Sequence, residues 1–327
     1  NKLLIRILLH LQVEFSKEES IMNGKLYIVS APRFIFDGLT SDKQQRIVYL
    51  PDFLSFPKTR IKQLTRALLV GRIRLPKTIL YTWFEKAYLD KMLQAKAGDA
   101  ILIYEGCNVN VLKAIRSLLP AGVRCFIYYC NPIHTTFKNP SKDLKAIRQL
   151  GYELSTFAPQ DAEQYDITFT NQYFRYPSEK LPEQVTSDCF FCGLAKNRME
   201  ELQTLKELLE SKGLRCNFII PNTAEEGISY PEYLRQLSLS RCVIDINQAN
   251  QVGLTRRPVE ALFYNKKLIT NNTDIRRHDF YNPKNIFIFG EDSLEGIKEF
   301  IENPVTEVPE QIRQRYDINT WIEHYLP

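Results

Sequence analysis

Short apolar runs with strand character alternate with amphipathic helical segments along most of this 327-residue chain. Buried strands linked by helices form a parallel sheet covered on both faces. In the first half, the strand-like runs are KLYIVS, RIVYL, TILYTW, AILIYEG, RCFIYYC, YELSTF and DITFTN, with VNVLKAIRSLL and SKDLKAIRQL as intervening helices. The alternation therefore predicts an α/β fold built on a doubly wound parallel sheet.

The alternation stops once and then restarts, which predicts two domains. Residues 172–188, QYFRYPSEKLPEQVTSD, are rich in proline, serine and charge and are predicted to connect them. The second series contains CFFCG, NRMEELQTLKELLESKG with Gly213 as its C-cap, RCNFII, YPEYLRQLSLS, CVIDI, NIFIF and SLEGIKEFIEN. We predict Rossmann-like domains at 22–173 and 188–305, facing each other across a cleft. A C-terminal helix at 306–327 is expected to pack back across the junction.

The first 21 residues fit this plan poorly, whereas KLYIVSAPRF, just after Met22, looks like an opening strand and loop. Lys17-Glu18-Glu19 can be encoded by a purine-rich ribosome-binding sequence. We therefore expect translation to begin at Met22. N-terminal sequencing of protein made from its natural gene would contradict this hypothesis by returning residues upstream of Met22.

The seven cysteines are an odd number and lie mostly in apolar runs, which favours reduced thiols in a cytosolic protein over a disulfide framework. Cys189 and Cys192 form a CxxC pair, but no second pair or histidine stands at zinc spacing. We interpret this pair as core and predict no metal site. No apolar segment reaches the roughly 20 residues that a membrane span requires, so a soluble, cytoplasmic protein is expected.

Residues 57–96 carry ten basic residues against only Glu85 and Asp90, within a net charge of +5 for the chain. Leucines and isoleucines interleave with the bases, as in a helix lying on an anionic membrane surface at the inner face of a cell membrane. A solvated helix with a buried apolar face explains the pattern equally well. No recognised nucleic-acid motif accompanies the bases, so nucleic acid is not expected as a partner.

Residues 251–272, QVGLTRRPVEALFYNKKLITNN, are predicted to form a loop, a helix, a strand and a second loop. Proline suits the first helical turn, because its missing N–H is not needed there. The free N–H groups at the helix start, the helix dipole and the guanidiniums of Arg256 and Arg257 together suit a phosphate. Ion pairing of these arginines with acidic neighbours is the alternative.

Polar residues follow other strands of the second domain, and ligands of parallel α/β sheets bind beyond the carboxyl ends of the strands. GLAKNR supplies Gly193, Lys196 and Arg198, and PNTAEEG supplies Asn222. Glu260, one helical turn beyond the arginines, is placed to accept hydrogen bonds from ribose hydroxyls, with a surface helix position as the alternative. These loops predict a nucleotide site.

GLAKNR after the first strand of the second domain, together with GLTRRPVEALFYNKKLITNN, resembles the donor-binding half of bacterial GT-B glycosyltransferases that build lipopolysaccharide or capsule. The resemblance covers the second domain, and the first only by architecture. It implies that the amides of Gly253, Leu254 and Thr255 bind the diphosphate of a nucleotide-sugar donor, that Glu260 holds the ribose, and that Lys196 and Arg198 neutralise the leaving phosphate. Retaining members carry Glu-x7-Glu, whereas Val252 occupies the first position here.

Fixed positive charge at the phosphates lowers the barrier to glycosyl transfer without a metal, and no clear DxD motif stands in a strand-end loop. We expect a metal-independent glycosyltransferase with the nucleotide sugar as substrate and no cofactor. The acceptor is expected to be a glycan or a lipid-linked saccharide. Glu105, Asp37 and His134 are the candidate bases for an inverting reaction. A sugar-nucleotide epimerase and a non-catalytic GT-B-like partner subunit remain alternatives.

Overall fold

The structure is a computed structural model that describes residues 24–327, except 32, 52, 55–58, 106–107, 179–180, 183, 224 and 249–252. The described chain divides into two compact units. Unit 1 runs to Thr170 and also contains Ile322–Pro327, and unit 2 is Asn171–Trp321. The hypothesis about Met22 and the departure at Val252 lie outside the described residues.

Unit 1 is built on a six-stranded parallel sheet in the order β2-β1-β3-β4-β5-β6. Its strands are β1 (Leu26–Val29), β2 (Ile47–Leu50), β3 (Ala100–Tyr104), β4 (Arg124–Tyr129), β5 (Tyr152–Thr156) and β6 (Thr168–Phe169). Its helices are α1 (Arg33–Phe36), α2 (Ser41–Arg46), α3 (Arg60–Leu69), α4 (Lys77–Leu80), α5 (Lys86–Met92), α6 (Val109–Leu118), α7 (Ile133–Thr136), α8 (Pro140–Gln149) and α9 (Pro159–Tyr165).

Unit 2 is built on a five-stranded parallel sheet in the order β11-β10-β9-β7-β8. Its strands are β7 (Ser187–Cys192), β8 (Cys216–Ile219), β9 (Ser240–Asp245), β10 (Lys267–Thr270) and β11 (Ile286–Ile288). The helices are α10 (Met199–Ser211), α11 (Tyr230–Ser238), α12 (Arg256–Phe263), α13 (Ile297–Glu302), α14 (Glu310–Gln314) and α15 (Ile318–Glu323), whose last two residues belong to unit 1, with 3-10 turns at Thr273–Arg277 and Leu294–Gly296. Each sheet places its second strand beside the first and the later strands on the other side. The predicted α/β fold with two Rossmann-like domains is confirmed.

Helices cover both faces of the sheet of unit 2, and successive side chains of a strand point to opposite faces. Phe190 packs in a cluster with residues of α11 and α12, whereas Phe191 packs in a second cluster with the leucines of α10. Cys189 belongs to the second cluster and Cys192 packs against the first. The two thiols of the CxxC pair therefore face opposite sides of the sheet, and the pair is part of the core as predicted.

A buried aspartate ties neighbouring strands together at the amino edge of each sheet. Asp99 accepts hydrogen bonds from the main-chain N–H groups of Lys25 and Lys96, both at 2.9 Å. Asp188 accepts from the main-chain N–H of Arg215 at 2.8 Å and pairs with the guanidiniums of Arg215 and Arg241 at 3.1 and 3.2 Å. Both carboxylates satisfy donors that precede a strand and would otherwise be left unpaired.

Two predictions for the basic segment 57–96 are wrong. TILYTW is not a strand: α4 and the turn after it place Leu80, Trp83 and Phe84 in the core, at the i, i+3, i+4 spacing of a helical face. The segment is also not one helix. Gly71, whose φ of +84° suits glycine, ends α3, and α4 begins after Pro76.

The predicted C-terminal helix at 306–327 is wrong as a single helix, because α14 and α15 are separated at Tyr316-Asp317. The main chain there pairs with Phe174: Phe174 N–H donates to the carbonyl of Tyr316, and Ile318 N–H donates to the carbonyl of Phe174, both at 2.8 Å. The Asp317 carboxylate then caps α15 by accepting from Asn319 N–H at 2.7 Å. Pairing with a distant segment outweighs the local helical pattern.

Asp188→Asn should lower the free energy of unfolding by about 1.5 to 3 kcal/mol at pH 7, the range for hydrogen bonds to a charged group. Burial raises the pKa of Asp188, but the hydrogen bonds from Arg215 and the charges of Arg215 and Arg241 outweigh it and leave the pKa lowered. Because the pKa is lower in the folded state, the ionised carboxylate stabilises the protein at pH values above its unfolded pKa of about 3.9. This stabilisation is lost as the pH falls through the folded-state pKa. Urea denaturation should show the deficit at pH 7 and its loss in strong acid. Glu295→Gln, which removes an exposed carboxylate of unit 2, should show neither effect.

Candidate functional site

The carboxyl ends of β7 and β9 form the topological switch point of unit 2, where ligands of doubly wound sheets bind. The loop after β7 carries Gly193, and the loop after β9 leads into α12. The predicted order of loop, helix, strand and loop is confirmed over the described residues 253–272 by α12 and β10.

Arg257 turns its side chain inward from the start of α12. Its Nη2 donates to the carbonyl of Cys192 at 2.8 Å, and its Nη1 lies 3.5 Å from Oδ1 of Asp245. Asp245, with no exposed side-chain surface, also accepts from the hydroxyls of Thr255 at 2.9 Å and Thr270 at 3.3 Å. Burial lowers the pKa of Arg257, but the neighbouring acidic groups, which include the carboxylates of Asp245 and Glu260, outweigh it and leave the pKa raised. Ion pairing, the alternative role for this arginine, is present in the structure.

Arg198 is the second buried guanidinium at this end of the sheet. It donates to the carbonyl of Ile246 and, at 3.2 Å, to that of Leu194. The guanidinium carbons of Arg198 and Arg257 lie 5.3 and 5.1 Å from the centre of the Phe191 ring, so both cations share one aromatic face. Burial and the charge of Arg257 lower the pKa of Arg198.

Glu260 is only 2% exposed, so the surface helix position considered for it is wrong. One carboxylate oxygen accepts from the hydroxyl of Tyr230 at 2.8 Å, and the other accepts from the hydroxyl of Tyr233. Burial and the charge of Glu260 raise the pKa of both tyrosines, which keeps their hydroxyls protonated as donors. Both oxygens of the carboxylate therefore accept a hydrogen bond from within unit 2.

Asn271 and Asn272, which follow β10, hold the loop after β9 in place. Asn271 accepts from Asn247 N–H at 2.7 Å and donates to the Asn247 carbonyl at 3.2 Å. Asn272 donates to the carbonyl of Gly253 at 3.3 Å, and Gly253 has a φ of +81°. The asparagine pair that ends the sequence motif thus fixes the geometry of the neighbouring strand-end loop.

The other predicted donor-site residues either are more exposed than Arg198 and Glu260 or form hydrogen bonds through their main-chain groups. Lys196 is exposed, with a φ of +48°, and Arg256 is half-buried. Asn222 is exposed, and its N–H donates to Glu226 at 3.1 Å. Leu254 is buried, and its carbonyl accepts from Gln172 at 3.2 Å. These residues, together with Gly193, Arg198, Gly253, Thr255, Arg257 and Glu260, all belong to unit 2.

Sequence reasoning missed Asp245, Tyr230 and Tyr233, whereas Asn247 begins the loop NQAN, which the sequence places after the strand CVIDI as a loop suited to a nucleotide. The signal for Asp245 was a carboxylate inside the apolar run CVIDI, since a buried charge requires a partner. Asn247 is 6% exposed, and within the described ranges its side-chain amide has no hydrogen-bond partner. A buried amide without a partner is a place where a ligand or water binds.

The three candidate bases of unit 1 are all exposed. Glu105 follows β3 with a φ of +73°, is exposed, and accepts from Cys130 Sγ at 2.8 Å and from Asn131. Asp37 lies 4.0 Å from Arg33 in an exposed pair, and His134 is exposed on α7. Glu105 adopts a left-handed conformation that costs an ordinary residue about 1 kcal/mol or more, and such conformations concentrate at functional sites.

In the described ranges, no group of three or more histidine, cysteine, aspartate or glutamate side chains is arranged to hold a metal ion. In the same ranges, every helix is too short or too polar to cross a membrane.

The sequence matches no family model and no curated protein. Among solved structures, it is similar to accessory secretory protein 1, 2 and 3 of Streptococcus pneumoniae, at 8% identity and a TM-score of 0.44, covering 76% of this chain and 55% of that one. It is also similar to the Glycosylation Associate Protein (Gap123) complex of Streptococcus agalactiae, at 10% identity and a TM-score of 0.41, covering 74% and 57%. This chain thus spans just over half the length of the chains that it resembles. Likeness at this level carries no argument about function.

Gly193→Ala should destabilise unit 2 by about 1 to 3 kcal/mol, the range for overpacking a filled site. A Cβ at Gly193 would lie 2.7 Å from Nη2 of Arg257, which the Cys192 carbonyl and Asp245 hold in place. Gly290→Ala is the matched control, because its φ of +95° also disfavours a Cβ but nothing lies within 4 Å of that Cβ. If Arg257 adds to the backbone strain at the φ of +156°, Gly193→Ala should cost less in an Arg257→Ala background than in the parent. Equal losses in both backgrounds, measured by chemical denaturation, would contradict the assignment.

Proposed function

We propose that this chain is a non-catalytic GT-B-like subunit, which takes part in glycosylation by binding a partner protein rather than by transferring a sugar itself. The GT-B part of the proposal rests on the resemblance of GLAKNR and GLTRRPVEALFYNKKLITNN to a donor-binding half. The non-catalytic part rests on one observation. Arg198, Arg257 and Glu260, three of the side chains that catalysis would direct at a donor, are bound to other groups of unit 2.

Arg257 is the first of these side chains. To bind a diphosphate, its guanidinium would have to leave Asp245 and the carbonyl of Cys192. Removing one partner of a buried ion pair costs about 3 to 5 kcal/mol, because the other charge stays buried without compensation. The Asp245 carboxylate would also repel the negative charge of a diphosphate at close range. The ion pair therefore disfavours donor binding in two ways: it must be broken, and its carboxylate repels the diphosphate.

The charges at this end of the sheet are already balanced. Arg198 provides a buried guanidinium and Arg257 a largely buried one, with its side chain 19% exposed, and Asp245 and Glu260 provide two buried carboxylates. Both oxygens of Glu260 already accept a tyrosine hydroxyl, and the residue is only 2% exposed, so a ribose has little access to it. The charges of this interior are therefore paired without a nucleotide.

The second candidate function is sugar transfer from a nucleotide sugar to lipopolysaccharide, capsule or a lipid-linked saccharide. Asn247 favours it, because its buried amide is without a partner in the described ranges and follows β9 at the switch point. Lys196 also favours it, as an exposed cation in the loop after the adjacent strand β7. In this candidate, Asn247 would bind the nucleotide and Lys196 its diphosphate, whereas Arg257 would remain structural.

Arg257→Ala should lower the free energy of unfolding by about 3 to 5 kcal/mol without any nucleotide, because it leaves Asp245 uncompensated. Lys196→Ala, its control with the same loss of charge, should leave stability unchanged. Thermal shift measurements with ADP, CDP, GDP, UDP and dTDP should show no stabilisation of the parent protein.

A bound ligand at 100 times its dissociation constant would stabilise the protein by about 2.7 kcal/mol. Stabilisation of that order by one nucleoside diphosphate, reduced in both Lys196→Ala and Asn247→Ala, would contradict the non-catalytic proposal and favour the transferase. Release of that diphosphate from its nucleotide sugar in the presence of an acceptor would decide for catalysis.

A further inference from the structure

Helix α3 of unit 1 turns its apolar stripe toward solvent. Ile61, Leu64 and Leu68 share one face at i, i+3, i+7 spacing, and Ile61 and Leu64 are 78% and 62% exposed. Ile73, just beyond the helix, is 55% exposed. An exposed leucine is ordinary, but a continuous apolar stripe marks a site that another surface covers.

Contacts on the inward face of α3 hold the helix with its apolar stripe toward solvent. Arg66 is buried, with its guanidinium carbon 5.2 Å from the centre of the Phe84 ring and its Nη1 donating to the Trp83 carbonyl at 3.4 Å. The Trp83 indole N–H donates to the hydroxyl of Thr65 at 3.0 Å. Since polar contacts hold the inner face, α3 cannot turn its leucines inward without burying unpaired polar groups.

The charges around the stripe all have one sign. Arg60, Lys62, Arg72, Arg74 and Lys77 are exposed, and no acidic residue occurs from 53 to 84 in the sequence. A protein partner's surface normally carries both signs, whereas leucines flanked by lysines and arginines alone match the acyl boundary and phosphates of an anionic bilayer. Arg66, included in the basic segment by sequence, does not contribute to this surface because it is buried.

We propose that the exposed face of residues 60–77 docks on an anionic phospholipid bilayer. Ile61, Leu64, Leu68 and Ile73 enter the boundary between headgroups and acyl chains, and the flanking cations contact the lipid phosphates. This membrane-docking surface belongs to unit 1, whereas the proposed function rests on unit 2. The two proposals can therefore fail independently.

The test is co-sedimentation of the full chain with phosphatidylcholine vesicles, with and without phosphatidylglycerol. The parent should sediment only with the anionic vesicles, and less so as salt shortens the Debye length from about 10 Å at 0.1 M to about 3 Å at 1 M. Lys62→Gln/Arg72→Gln/Arg74→Gln should weaken partitioning by about 100-fold, since each cation contributes about 1 kcal/mol and 1.4 kcal/mol is tenfold. Ile61→Gln/Leu64→Gln/Leu68→Gln should weaken it by more than about tenfold.

The matched control is Lys138→Gln/Lys142→Gln/Lys145→Gln, which removes three exposed charges elsewhere in unit 1. It should retain most of the binding, and thermal melting should show that all variants remain folded. Three results would overturn the proposal: a parent protein that stays in the supernatant at low salt, equal losses for control and patch variants, or equal binding to uncharged vesicles. Self-association of the parent, abolished by Leu64→Gln without any vesicle binding, would assign the surface to a second copy instead.

Discussion

The carboxylate of Asp245 stands at the end of a central strand with no exposed surface, and the interior of unit 2 is arranged around it. Arg257 reaches it from the start of α12, while Thr255 and Thr270 donate to it from the two neighbouring segments. Gly193 leaves room for that guanidinium. A buried charge is tolerated only when paired and hydrogen-bonded, so these contacts fix where α12 begins and how the strand-end loops lie.

In unit 2, some of the predicted donor-site side chains form hydrogen bonds in the interior, whereas others are exposed at the surface. Arg257 and Glu260, the two side chains most suited to a nucleotide by type and spacing, serve the interior. Lys196 and Arg256 retain exposed surface, and the amide of Asn247 faces the same strand ends. One fold can host different functions, because function depends on side chains rather than on architecture.

The exposed apolar face of unit 1 lies on α3. Arg66 packs on Phe84 and turns the leucines of α3 outward, so one buried cation determines what the helix presents to its surroundings. At the carboxyl edge, Ser30 and Glu105 adopt left-handed conformations directly after β1 and β3. These two strands flank the switch point of unit 1. A strained main-chain conformation persists only where the surrounding structure holds it, so the residues after both strands are held in place by their neighbours.

The alternation of apolar runs and amphipathic helices determined two parallel sheets, because a strand buried on both faces must be apolar throughout. Local pattern also determined the loop, helix and strand around Pro258. Only the tertiary structure decided the partners of Arg257 and Glu260 and the inward side of α3. Periodicity predicts which face of a helix is apolar but not what covers that face. A charged side chain also finds its hydrogen-bond partners far away in the sequence: Cys192 lies 65 residues from Arg257, and Tyr233 lies 27 residues from Glu260.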